Sequence, residues 1–191
     1  MATRDLTAIA FFAALTAVCA QVSVTLPGLS GVPFTMQVFA VLAAGAVLGA
    51  RRGMLSQIVY LLLGAAGLPV FAGWHGGAPI LVGPTAGYLW AFPLAALIVG
   101  WCADAAARVG SPGVARWGVY AGMVAGLAVI YGLGAAGLVA SRAVRTLTRA
   151  IQVGVLPFVW ADLIKAYLAA VIAARVRAAI APAPLLSKPG R

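Results

Sequence analysis

Apolar residues run through this chain in six long blocks rather than alternating with polar ones. The first is Leu6 to Val24, stopped by Pro27 and the turn-forming residues Gly28, Ser30 and Gly31. The second, Thr35 to Ala50, ends at Arg51-Arg52-Gly53, a basic pair beside a helix breaker. The third, Met54 to Gly67, closes at Leu68-Pro69, and a loop with Gly73, Trp74, His75, Gly76, Gly77 and Pro79 follows. The fourth opens at Gly83-Pro84-Thr85, where Pro84 suits a first helical turn, and reaches Ala106. After Arg108, Gly110, Pro112 and Arg116 comes the fifth, Trp117 to Ala140; a polar stretch then leads to the sixth, Pro157 to Ala174. A bilayer core takes roughly 20 apolar residues per helix. The pattern therefore predicts an all-α integral membrane protein with six transmembrane helices. Residues 1–176 form one six-helix transmembrane domain, and 177–191 form a cytoplasmic tail in which three prolines favour fraying. Arg142, Arg145 and Arg149 stand at i, i+3 and i+7, one face of a short amphipathic segment before helix 6.

Composition agrees. With 64% hydrophobic and 8% charged residues, the 191-residue chain cannot surface a soluble domain. Thirteen Lys and Arg against three acids give +10, a balance that would suit nucleic acid were the cations clustered with aromatics. They instead flank the apolar runs. Arg4, Arg51, Arg52, Arg108, Arg116, Arg175, Arg177, Lys188 and Arg191 fall on one side of a six-span topology, and Arg142, Arg145 and Arg149 on the other. The positive-inside rule makes the first side cytoplasmic, with both termini there. The three outer arginines suit either anchoring to lipid phosphate or attraction of an anionic solute. Arg4 before an apolar run resembles a signal peptide, but five comparable runs follow, which favours a retained span. Cys19 and Cys102 fall toward opposite membrane faces, out of disulfide reach.

The outward loops, Thr25 to Phe34 and Leu68 to Gly83, lack charged residues and are rich in Gly and Pro. Such backbone at membrane depth is tolerated when it packs over a cavity, so a pocket is expected near the outer face. Asp162 and Lys165 strengthen this expectation. They lie three apart on one face of the sixth span, where burying a charge costs roughly 2.5 to 3.5 kcal/mol and needs a reason. The bland reading is a self-neutralising ion pair. Asp104 is read as an interface pair with Arg108, and Asp5 as a carboxylate complementing the dipole of helix 1. Thr35, capping helix 2, with Gln37, Thr85 and Tyr88 adds polar groups at the same level, and Trp74, Phe92 and Trp160 add aromatics. Each aromatic alone reads as an interfacial belt residue; together these side chains outline an apolar site with a few polar groups.

Catalytic and metal patterns are missing from the sequence. His75 is the single histidine, and no HExxH, CxxC, P-loop or GxSxG occurs. The chain is not expected to be an enzyme, to bind a metal or to carry a cofactor, and uphill transport would draw on an ion gradient or a partner's ATP. In helix 1, Ala10, Ala13, Ala14 and Ala17 repeat at four-residue intervals, in two possible registers. Such a strip admits close approach of a partner helix or packs within the bundle.

Four stretches together resemble the BioY family, the biotin-binding membrane subunit of energy-coupling-factor (ECF) importers. They are Val32-Pro-Phe-Thr-Met-Gln37, Tyr60-Leu-Leu-Leu-Gly-Ala-Ala-Gly-Leu-Pro-Val-Phe71, Gly83-Pro-Thr-Ala-Gly-Tyr-Leu89, and Gly154-Val-Leu-Pro-Phe158 with Asp162-Leu-Ile-Lys165. The resemblance implies a substrate-capture (S) subunit that binds biotin near the outer face. Its partners would be a transmembrane coupling protein and a pair of ATPases, which alone use ATP, besides membrane lipid. It further implies biotin contacts at Asp162 and Lys165, a coupling-protein interface on the Ala10/Ala14 or Ala13/Ala17 strip, and a lid over residues 25–34. The chain has no Asn, which some members use in the region of residues 71–77. The competing reading is a stand-alone biotin carrier that needs no ATPase, and the sequence leaves a homo-oligomer open.

Overall fold

A computed structural model describes residues 2–24, 32–109 and 111–180. The proposed lid over residues 25–34 therefore falls mostly outside the described residues, as does the tail beyond Ile180 with Lys188 and Arg191. The described chain is helical: α1 (Thr3–Gln21), α2 (Gln37–Leu48), α3 (Ala50–Ala65), α4 (Ala86–Ala106), α5 (Pro112–Ala140), α6 (Leu147–Gly154) and α7 (Val159–Ile180). One strand pair interrupts them. β1 (Ser23–Val24) pairs antiparallel with β2 (Phe34–Thr35), bringing the end of α1 beside the start of α2.

α1, α4 and α5 are each long and apolar enough to cross a membrane, and α6 with α7 makes a fourth candidate bent by 58°. α2 is apolar but only 12 residues long, about 18 Å at 1.5 Å per residue. Large side chains such as Phe11, Trp101 and Ile164 are exposed on the outside of the bundle, which suits hydrocarbon and not water. Inside, α4 packs on α2, α3 and α5 around Leu42, Tyr60, Val99, Met123, Ile130 and Leu138, which are fully buried. α4 and α5 approach through glycines: a Cβ on Gly137 would stand 2.9 Å from the Cα of Gly87. α1 is tied to α3 by a fully buried polar cluster in which Gln57 Nε2 donates to Thr16 Oγ1 (3.2 Å) and Ser56 Oγ (3.1 Å).

Several expected boundaries move. The first run ends at Gln21, with Val24 in β1. The break between the second and third runs is Gly49, at φ 82°, so Arg51, Arg52 and Gly53 lie inside α3. Gly49 is needed there because the Asp104 carboxylate lies over it and accepts from Ala50 N at 3.1 Å, capping α3. Asp104 does not pair with Arg108. The helix ends at Ala106, so the i, i+4 register is lost, and Arg177 of α7 takes the carboxylate at 2.9 Å. Asp5 is as expected at the N-terminus of α1 and additionally pairs with Arg52 at 2.7 Å. Pro84 precedes the helix, because α4 starts at Ala86. α7 continues past residue 176 to Ile180.

The amphipathic segment before the last helix exists, but the three arginines do not share its face. α6 starts only at Leu147, with Thr146 Oγ1 accepting from Arg149 N, whereas Arg142 (φ 60°) ends the turn after α5 and Arg145 lies in a bend. Two non-helical segments between them break the 3.6-residue period on which the common face depended.

Candidate functional site

One end of the bundle encloses a cavity of about 590 Å³. It is walled by Ser23 after α1, by Thr35 and Gln37 at the start of α2, and by the segment from Phe71 to Thr85. Tyr88, Leu89 and Phe92 of α4, Ile130 and Tyr131 of α5, and Phe158 and Asp162 at the start of α7 complete it, together with Val32 to Phe34 and Val38. Apart from Ile130 and Tyr131, which lie within α5, these residues sit at or near helix ends, after the C-terminus of α1 and at the N-terminal starts of α2, α4 and α7, so alternating helix direction gathers residues from across the chain onto one level.

Asp162 and Lys165 form a buried ion pair at 2.7 Å, with side chains 4% and 8% exposed. Asp162 faces the cavity, while Lys165 stands behind it. Lys165 Nζ also donates to Thr35 O at 2.8 Å and lies 3.6 Å from the centre of the Phe34 ring, which stacks on Phe158. Tyr131 OH donates to the other carboxylate oxygen at 2.6 Å. Removing two charges from water costs several kcal/mol each, and here the compensation is distributed over a carboxylate, a carbonyl, a phenol and an aromatic face. A second chain of hydrogen bonds holds the neighbouring wall. Gln37 Nε2 donates to Tyr60 OH (2.6 Å), which donates to Val70 O (3.1 Å), and Thr35 Oγ1 donates to Gln37 Oε1 (3.0 Å) while accepting from Gln37 N (3.2 Å). Thr35 thus caps α2 from within β2. The buried carboxylate keeps lone pairs for ligand N–H groups, and the remaining wall is mostly apolar.

The structure gathers Asp162, Tyr88, Gln37, Thr35, Thr85 and Phe92 around this cavity, with Lys165 one layer back. Tyr88 presents its ring, since its hydroxyl donates to Gly154 O at 2.9 Å. Trp74 and Trp160 are not part of the wall. Trp74 is 71% exposed on the loop exterior, and Trp160, 75% exposed, lies on the outer face of α7 in a groove with Trp117, Tyr120 and Tyr167. Position in the sequence gave their level along the bundle and not their azimuth. Among residues 71–77, His75 lines the cavity with a hydrogen-bonding side chain, its Nδ1 facing Ala72 O at 2.8 Å.

Sequence reasoning passed over Tyr131, Tyr60, Phe34, Phe71 and Phe158. Tyr131 sits in an unbroken apolar run and carries no local signal; a tyrosine within a span, needing a partner for its hydroxyl, was the available clue. On α1 the alanines divide by face. Ala10 and Ala14 are exposed, in line with Val18, whereas Ala13 is 1% exposed inside the bundle and Ala17 is half-buried. The outward strip is therefore Ala10/Ala14, and Ala13 is an internal packing residue.

Residues 1–182 match the BioY family. A Thermotoga maritima protein named biotin transporter BioY is 45% identical over 91% of this chain and 96% of its own. A Rhizobium etli protein of the same name is 37% identical over 97% of this chain and 98% of its own. The fold superposes on a crystal structure of the S-component for biotin from an ECF-type ABC transporter with a TM-score of 0.83 and 28% identity, covering 93% of this chain and 95% of that one. These relatives are named as transporters and not as enzymes. Matched along nearly its whole length, this helical membrane protein belongs to the BioY family.

Proposed function

We propose that the protein captures biotin in the cavity beside Asp162 and imports it as the substrate-specific subunit of an ECF-type transporter. The observation that carries this reading is the buried Asp162 carboxylate, held by Lys165 and Tyr131 in the wall of a mostly apolar cavity. Its volume lies in the roughly 300–1,000 Å³ range of small-molecule sites. The ureido group of biotin offers two N–H donors in one plane, which suit the free lone pairs of Asp162. Lys165 balances the charge of the carboxylate at 2.7 Å. Phe71, Phe92 and the Tyr88 ring provide apolar surface for the sulfur-containing ring. Biotin as the ligand is supported by the names of the relatives and by the S-component likeness.

Six passes, with α1 to α5 crossing once each and α6–α7 together as the sixth, would put both termini in the cytoplasm of a bacterial inner membrane and the cavity at the outer face. The chain has no P-loop, so accumulation would depend on partner ATPases acting through a transmembrane coupling protein. The outward Ala10/Ala14 face of α1 is the surface on which that protein would dock, small side chains allowing close helix approach. Calorimetric titration of the purified protein with biotin, thiamine and riboflavin tests the ligand. Saturable heat with biotin alone is expected; none with biotin would overturn the reading. Proteoliposomes holding this chain alone should bind labelled biotin without concentrating it, and accumulation against a gradient would replace the ATPase-coupled scheme with a self-sufficient carrier.

A further inference from the structure

Gln21, the last residue of α1, takes no part in the cavity wall, yet its amide both donates to and accepts from the loop that covers it. Nε2 donates to Ala17 O and to Phe71 O, both at 3.2 Å, and Oε1 accepts from Trp74 N at 3.0 Å. Donor and acceptor thus grip the loop at both ends. Phe71, Ala72, Gly73 and His75 of this loop line the cavity.

The loop needs such a grip. Gly73 (φ 71°) and Trp74 (φ 61°) are consecutive left-handed residues, a conformation that costs a bulky side chain free energy. The Trp74 side chain is 71% exposed, so its packing does not repay that cost. Hydrogen bonds do: Phe71 N donates to His75 O at 2.9 Å and closes the loop on itself, and Gln21 ties the closed loop to α1. The far side is fastened to α3 by Gly77 N donating to Gly64 O at 2.7 Å. Freed from Gln21, the loop would remain attached to α3 but lose its anchor on α1, and the strained Trp74 backbone would favour opening.

We propose that Gln21 is a positioning residue that clamps the 71–75 loop over the cavity and thereby sets how long the ligand stays bound. The proposal rests on the cavity being the biotin site. The experiment compares wild type with Gln21→Leu, similar in size and lacking both hydrogen-bonding functions, in two measurements on the purified full chain. The first is the dissociation rate of labelled biotin chased by unlabelled biotin; the second is amide hydrogen exchange of the segment around residues 70–77 without ligand. Losing two loop hydrogen bonds should speed dissociation on the order of ten-fold, with association changed less than about two-fold. Exchange should rise in that segment and not in α4 or α5. An unchanged dissociation rate overturns the proposal, as does faster dissociation with unaltered exchange in the loop. A uniform rise of exchange across the helices also overturns it, since that marks a general loss of stability. If wild type binds no biotin, the functional reading fails, while the exchange comparison still decides whether Gln21 holds the loop.

Discussion

Replacing Asp162 separates the two roles that this residue combines. In Asp162→Ala, Lys165 keeps Thr35 O and the Phe34 ring but loses its counter-ion, and Tyr131 OH loses its acceptor, both in buried surroundings. Breaking a buried ion pair from one side costs about 3–5 kcal/mol, so this variant should be markedly destabilised. Asp162→Asn preserves shape: its carbonyl oxygen can still accept from Lys165, and its NH2 can donate to the Tyr131 oxygen. Stability should fall much less. The ligand, however, would lose a charged acceptor, about 1.5–3 kcal/mol, or roughly ten- to a hundred-fold in affinity. A third variant, Asp162→Ala with Lys165→Met, removes both charges and should recover most of the stability lost in Asp162→Ala without recovering binding. Thermal unfolding in detergent and biotin titration would be run on all three. Unchanged biotin affinity in Asp162→Asn would refute the assignment of the carboxylate to the ligand. An equal loss of stability in Asp162→Ala and in Asp162→Ala with Lys165→Met would refute the claim that an unpaired Lys165 is what destabilises.

Three further outcomes follow from the geometry. Ala10→Trp or Ala14→Trp should leave biotin affinity within about two-fold while abolishing co-purification with the proposed coupling protein, whereas Ala13→Trp should lower the melting temperature because overpacking a filled interior costs about 1–3 kcal/mol. Trp160→Ala should leave biotin affinity unchanged by titration, since the ring lies outside the cavity, and a loss of ten-fold or more would return Trp160 to the site. Gly49→Ala should destabilise by about 1–2 kcal/mol in thermal unfolding, because its left-handed backbone is strained for alanine and the new Cβ would stand 2.8 Å from the Asp104 carboxylate.

Much of the architecture was legible because lipid imposes a one-dimensional rule. A run of apolar residues long enough to span must become a helix, so the positions of α1, α4, α5 and α7 followed from hydropathy and punctuation alone. The scarcity of acids did the same for the candidate site: with three in the chain, Asp162 stood out, and its spacing from Lys165 puts both on one helical face, where they pair at 2.7 Å. Local signals failed where a group's partner is distant in sequence. Asp104 was matched to Arg108 by spacing, yet it binds Arg177 and Ala50 N, because the helix ends before that spacing can be realised. The arginines at 142, 145 and 149 looked like one helical face, and a turn and a bend dispersed them.

Hydropathy and charge placement thus carried the helical membrane class and the central ion pair of the candidate site, since both depend on what one residue costs to bury. Azimuth belonged to the folded bundle. Trp160 and Asp162 are two residues apart on α7, and packing alone turns one outward and the other to Tyr131; likewise it exposes Ala14 and buries Ala13. Helices with nearly uniform apolar surfaces do not encode their own rotation in lipid, where no hydrophobic drive separates inside from outside. Close contacts between distant segments set it instead, such as Gly137 on Gly87, and with it which side chains meet at the cavity.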